Sequence, residues 1–139
     1  MKRLALQIVL SLGLALILAW AGSSVAAERL TIAQLQNYHK SYDMHSVTLV
    51  GKVQAMQAFE PLTESLGRCR KLYGRAKFVL VDDTGSLDVE SLGSCFKAAM
   101  NLPHDGDQVE VTVKIQVDIP QGQKEEVMKA IIQEMVVLK

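Results

Sequence analysis

The sequence has no excess of either charge: 15 Lys and Arg stand against 15 Asp and Glu in 139 residues. That balance argues against a strongly basic nucleic-acid binder, whose affinity rests on many phosphate contacts. Cysteine is scarce, with only Cys69 and Cys95, and there are three histidines, so no zinc-type spacing and no dense metal cluster is present. Aromatics make up 5% of the chain, and beyond residue 27 only Tyr38, Tyr42, Phe59, Tyr73, Phe78 and Phe96 remain, which leaves few platforms for stacked bases. There is no phosphate-cradling glycine run, no serine nucleophile with a credible base, no internal repeat and no low-complexity tract. What is abundant is apolar surface, at 49% of residues against 22% charged, enough to offset the entropy of ordering one modest domain.

The first long feature is a secretory leader. Met1-Lys2-Arg3 supplies a positive end, residues 4–20 are almost wholly apolar, and Val25-Ala26-Ala27 offers the small residues a signal peptidase accepts. Cleavage after Ala27 would leave a domain of 112 residues, 28–139, with a net charge of −2. The 17 apolar residues are also just long enough for a retained membrane anchor. In both cases the folded part lies outside the cytoplasm, periplasmic or secreted. In that compartment two cysteines in one domain read as a Cys69–Cys95 disulfide.

The domain then reads mostly as strands. Thr31 and Gln34 form a capping box and Leu30 can staple onto Leu35, predicting a short helix over about residues 32–40. Residues 47–55 alternate as a strand, with Gly51 marking a sharp bend or a close backbone approach. Residues 57–77 have no sustained period and read as a long excursion. Residues 78–90 read as a hairpin turning at Asp82-Asp83-Thr84-Gly85, with Gly85 free to take a positive φ. Leu92, Phe96, Ala98, Ala99 and Met100 recur at helix-like spacing before Pro103, predicting a second short helix. Val109, Val111, Val113, Ile115, Val117 and Ile119 then alternate with polar residues, the mark of a long strand with one buried side. Val127, Ile131 and Leu138 fit a helix while Ala130, Ile132, Val136 and Leu138 fit a strand; a strand from about residue 130 is favoured because it gives the preceding strand a partner.

This order resembles that of the OB-fold domains of the anticodon-binding and bacterial single-strand-binding kind. The likeness is carried by Val47-Thr48-Leu49-Val50-Gly51-Lys52-Val53, by residues 78–89 with Asp83-Thr84-Gly85, and by Gly106-Asp107-Gln108-Val109-Glu110-Val111, about half of the domain. It implies a mostly β, five-stranded Greek-key barrel with a short N-terminal helix and a short helix between strands 3 and 4 that plugs one end. It also implies binding rather than catalysis, across the face of the second and third strands at Lys77, Phe78, Val79, Val81, Asp88 and Glu90.

Arg68, Arg70, Lys71, Arg75 and Lys77 place five positive charges in ten residues of the excursion. Tethered by Cys69, such a loop suits an anionic oligomer, either single-stranded nucleic acid or an envelope component, or an acidic protein surface. The expected ligand-binding set is Arg68, Arg70, Lys71, Tyr73, Arg75, Lys77 and Phe78, with no catalytic residue, no metal and no cofactor. The other reading is an envelope interaction or assembly factor with no small ligand. Two further candidates are weaker. Asp83-Thr84-Gly85 matches the way aspartic peptidases present a carboxylate, but a hairpin turn needs the same residues. His39, Met44 and His45 are acceptable copper ligands without the spacing of a site.

Overall fold

The computed structural model describes residues 26–63 and 69–139; residues 1–25, on which the expected leader falls, and Arg68 lie outside the described residues. Its elements are β1 (Glu28–Arg29), α1 (Ile32–Asn37), a 3-10 turn (His39–Tyr42), β2 (Ser46–Ala58), β3 (Leu62–Thr63), β4 (Lys71–Leu72), β5 (Ala76–Asp82), β6 (Gly85–Ser91), a second 3-10 turn (Lys97–Met100), β7 (Gln108–Asp118) and β8 (Val127–Leu138).

The alternating valines of β7 do what their period dictates. Val109, Val111, Val113 and Ile115 are fully buried, and β7 pairs antiparallel with both β2 and β8. β2 opposes β7 from Ser46 to Lys52 and then crosses to β5, from Lys52 opposite Val81 to Ala58 opposite Ala76. β5 and β6 form a hairpin, and β6 meets β8 in parallel at Val89↔Ala130 and Glu90↔Ile131. The circuit β2-β5-β6-β8-β7-β2 is a closed barrel of five strands, with β1 added parallel to β2 and the β3–β4 ribbon set apart in the excursion. The last segment is therefore a strand, starting at Val127. Ile119 falls just past the end of β7 and is 60% exposed rather than buried, because the pairing that turns alternate residues inward stops at Asp118↔Val127.

Gly51 sits where β2 changes partners. A Cβ built there would stand 2.7 Å from the Val81 carbonyl oxygen and 3.0 Å from the Leu80 side chain. Contacts that short force the backbone apart, so Gly51→Ala is expected to lower stability by about 2 kcal/mol, measurable as a lower urea midpoint with an unchanged slope.

The capping box at Thr31 and Gln34 is present, but α1 stops at Asn37 and the chain continues as the first 3-10 turn. α1 lies against the β5–β6 turn: the Ile32 N–H donates to Asp82, the Ala33 N–H to Thr84 Oγ1, and Gln36 to the Ser86 carbonyl. This places Ile32 and Leu35, both fully buried, in the hydrophobic core. The short helix expected between β6 and β7 is a single 3-10 turn with no buried residue, so α1 supplies the apolar plug instead. Gly85 does not use a positive φ: Asp83 and Thr84 make a two-residue turn, and Gly85 is the closing rung opposite Asp82. Among the described residues, all buried core residues lie between Ile32 and Ala130.

Candidate functional site

On β5 and β6 the side chains of Phe78, Leu80, Leu87 and Val89 point into the core. The residues between them, Lys77, Val79, Asp88 and Glu90, therefore face outward. Register puts Gln57 opposite Lys77, Lys77 opposite Glu90 and Val79 opposite Asp88. With Val127 and Lys129 of β8 these residues line a groove of about 490 Å³, within the size range of ligand clefts. The floor is charge-balanced, two lysines against two carboxylates. Lys77 Nζ lies 4.0 Å from a Glu90 carboxylate oxygen with both groups well exposed, a pairing worth little in water.

The described residues of the excursion, 59–63 and 69–75, lie next to β2 and β5, which line this groove. The Phe59 N–H donates to the Arg75 carbonyl, and the Arg75 guanidinium lies 5.6 Å from the centre of the Phe59 ring. Lys71 Nζ is 6.0 Å from the Tyr73 ring centre. Four contacts pin this segment to the β6–β7 connection. Cys69 and Cys95 form a disulfide, Tyr73 and Ser94 exchange two backbone hydrogen bonds of 2.8 Å, and Ser91 Oγ donates to the Gly74 carbonyl. Gly74 also packs where only glycine fits: its φ is +73° and a Cβ would fall 2.1 Å from the Ala99 oxygen. On the opposite flank, Glu126 ends the β7–β8 loop and accepts from Lys40 at 3.0 Å, with His39 Nε2 at 3.6 Å. The Lys40 hydrogen bond, opposed by slight desolvation and reinforced by the Lys40 charge and by the His39 ring, holds this carboxyl below its ordinary pKa.

The expected binding residues separate accordingly. Lys77 lines the groove, Arg75 lies two residues away against Phe59, and Arg70 and Lys71 are exposed on the pinned excursion. Tyr73 is half-buried, held by its bridge to Ser94. Phe78 is 3% exposed and packs into the core, because pairing with Val89 turns it inward, while it still borders the groove. Gln57, Val127 and Lys129 were not foreseen. Their place depends on an irregularity between Gln54 and Gln57, where Ala55 has φ +52°, and on the parallel meeting of β6 and β8.

Two other hollows exist. One of about 670 Å³ lies between α1 and the Gly51 bend, and one of about 550 Å³ runs along β1, β7 and β8. Both are bordered by Arg29, which is already paired with Glu110. The histidine candidates are engaged locally, with His39 Nδ1 against the Gln36 carbonyl and His45 Nδ1 against the Asp43 carbonyl. Among the described residues no three His, Cys, Asp or Glu side chains gather as a metal site. In the Asp-Thr-Gly segment Asp83 is exposed, and the neighbouring Asp82 is engaged with backbone donors.

No protein-family model and no curated protein matches the chain. Solved structures do. The second OB-fold domain of replication protein A from Methanococcus maripaludis superimposes with a TM-score of 0.53 and 18% identity, covering 70% of this chain and 87% of that domain. An aspartyl tRNA synthetase from Entamoeba histolytica gives 0.55 and 10% identity over 82% of this chain, which spans only 22% of the synthetase. A replication protein A heterotrimer bound to ssDNA gives 0.51 and 11% identity, covering 81% of this chain and 37% of that one. The fold is an OB fold. In OB-fold terms β2, β5, β6, β7 and β8 are strands one to five, the groove lies on the face of strands two and three, and the described residues 59–63, 69–75 and 119–126 belong to the connections after strands one and four.

Proposed function

We propose that the domain is an exported, non-catalytic OB-fold module that takes an anionic oligomer, single-stranded nucleic acid in the first instance, across the β5–β6 groove. The observation that carries this reading is the basic loop, already ordered by the Cys69–Cys95 disulfide, standing beside the groove that OB folds use for oligomers. Arg70, Lys71, Arg75 and Lys77 supply phosphate contacts, while Phe59 and the half-exposed Tyr73 offer stacking surfaces. A tethered loop loses less entropy on binding than a mobile one. Export is supported by the apolar leader sequence and by the disulfide, which persists in oxidising compartments.

Asp88 and Glu90 on the floor repel phosphate and favour the second reading, an interaction factor for a protein partner. Fluorescence anisotropy with a short oligothymidylate and with an anionic glycan separates the two. Under the first reading affinity falls steeply as salt rises, and Arg70→Glu with Lys71→Glu weakens binding about tenfold or more at low salt and flattens the salt slope. Binding indifferent to both salt and charge reversal, or absent altogether, would leave the protein-partner reading.

A further inference from the structure

Among the described residues, the segment pair pinned by the disulfide exposes five large apolar side chains that line none of the three hollows: Phe59 at 41%, which faces Arg75, and Leu62 at 42%, Leu92 at 53%, Phe96 at 76% and Met100 at 49%. Their positions are linked through the backbone. Leu62 pairs with Leu72 in the β3–β4 ribbon, a Cβ built on Gly93 would stand 3.4 Å from Leu72 Cβ, Tyr73 bridges Ser94, and Cys95 joins Cys69. Phe96 and Arg70 each follow one half of the disulfide, whose Cα atoms are 5.6 Å apart, so an almost fully solvated aromatic ring and a guanidinium share one tip of the molecule.

The charge of these segments is mainly positive. By sequence, segments 59–75 and 92–102 hold Arg68, Arg70, Lys71, Arg75 and Lys97 against Glu60 and Glu64. The rest of the domain from residue 28 carries 8 basic and 13 acidic residues. An apolar tip fringed by cations, on a body that is otherwise acidic, matches the layered chemistry of an anionic lipid surface: headgroups outside, acyl chains within. A folded protein partner would need a hollow shaped to a protruding tip, whereas a fluid bilayer adapts to it.

We propose that the disulfide-pinned tip docks the domain onto anionic lipid bilayers, with Phe96, Leu62 and Met100 entering the interfacial layer and Arg70, Lys71 and Lys97 contacting lipid phosphates. This surface shares Arg70 and Lys71 with the proposed oligomer contacts but is otherwise distinct from the groove: Phe96 does not line it, and Lys77 and Lys129 do not belong to the tip.

The test uses the chain from residue 28, which holds every core residue among the described residues and excludes the apolar N-terminal run, with the wild-type circular dichroism spectrum checked first. Co-sedimentation with vesicles of phosphatidylglycerol and phosphatidylcholine should show salt-sensitive binding, and vesicles of phosphatidylcholine alone should show little. Phe96→Ser should weaken partitioning about tenfold, and Arg70→Glu with Lys97→Glu by at least as much. Because Phe96 is so exposed, the variants should keep the wild-type circular dichroism spectrum. The sole tryptophan is Trp20, outside this chain, so Phe96→Trp gives a single reporter whose emission should shift to the blue and be quenched by brominated acyl chains. Phe96→Ser should keep oligonucleotide affinity, and Lys77→Glu should keep vesicle binding. The proposal is overturned if the wild type ignores anionic vesicles, binds both compositions alike, binds them with the Phe96→Trp emission unshifted, or if Phe96→Ser loses oligonucleotide but not vesicle binding.

Discussion

Asp82→Ala is expected to cost about 3 kcal/mol of stability, a large share of the 5–15 kcal/mol typical of a whole domain. One Asp82 oxygen accepts from the Thr84 N–H at 2.7 Å, the Thr84 hydroxyl at 2.6 Å and the Gly85 N–H at 3.0 Å, while the other accepts from the Ile32 N–H at 2.9 Å. One carboxylate thus shapes the β5–β6 turn and caps the helix whose Ile32 and Leu35 complete the core. Its removal strands three backbone donors at once. Burial pushes the Asp82 pKa up, but the hydrogen bonds from Ile32, Thr84 and Gly85 together push it down further, leaving it below its ordinary value. A lowered folded pKa adds stability that is fully present above the unfolded carboxylate value near 3.9 and is lost as pH falls through the folded value. Urea melts at neutral pH and at about pH 3 should therefore show a wide gap between wild type and variant that narrows in acid. Asp83→Ala, on an exposed turn residue, should shift stability by less than about 0.5 kcal/mol. That contrast assigns the structural role in this turn to Asp82 rather than to Asp83.

Opening the Cys69–Cys95 bond should have an effect of similar size. The two residues are 26 apart in sequence, and closing a loop of that length restricts the unfolded chain by about 3 kcal/mol in the chain-entropy description. Cys69→Ser with Cys95→Ser should lower the melting temperature markedly while the far-ultraviolet spectrum keeps its barrel signature, since neither cysteine belongs to the core. Oligonucleotide and vesicle binding should both weaken, because the basic loop and the apolar tip are ordered through the same bond. A wild-type chain that melts identically with and without reductant would contradict this. Thiol labelling after denaturation checks that the bond was present at the start.

Much of this architecture is written in short-range pattern. The period of Val109, Val111 and Val113, the Thr31–Gln34 capping box and the glycine in the middle of β2 each state their role within a few residues, and the structure uses them so. What escaped local reading depends on distant partners. In Lys77-Phe78-Val79-Leu80 the apolar run does not say which residues face inward; Leu87 and Val89 across the hairpin decide it, and Phe78 goes to the core. Lys129 joins the groove only because β8 returns beside β6. The spacing of Leu92, Phe96 and Met100 looked like a helix with one buried side, but the disulfide and the Tyr73–Ser94 bridge tie that segment to the excursion, leaving it a single solvated turn.

The joint between β6 and β8 has only two rungs, against eleven between β7 and β8. Such a short zipper is the natural place for the sheet to breathe. Parting it would spread Asp88 and Glu90 away from Lys129 without melting either hairpin. Amide exchange should accordingly be quicker at Ala130 and Ile131 than at mid-strand positions of β7, and the clasp would let one cleft admit guests of different girth.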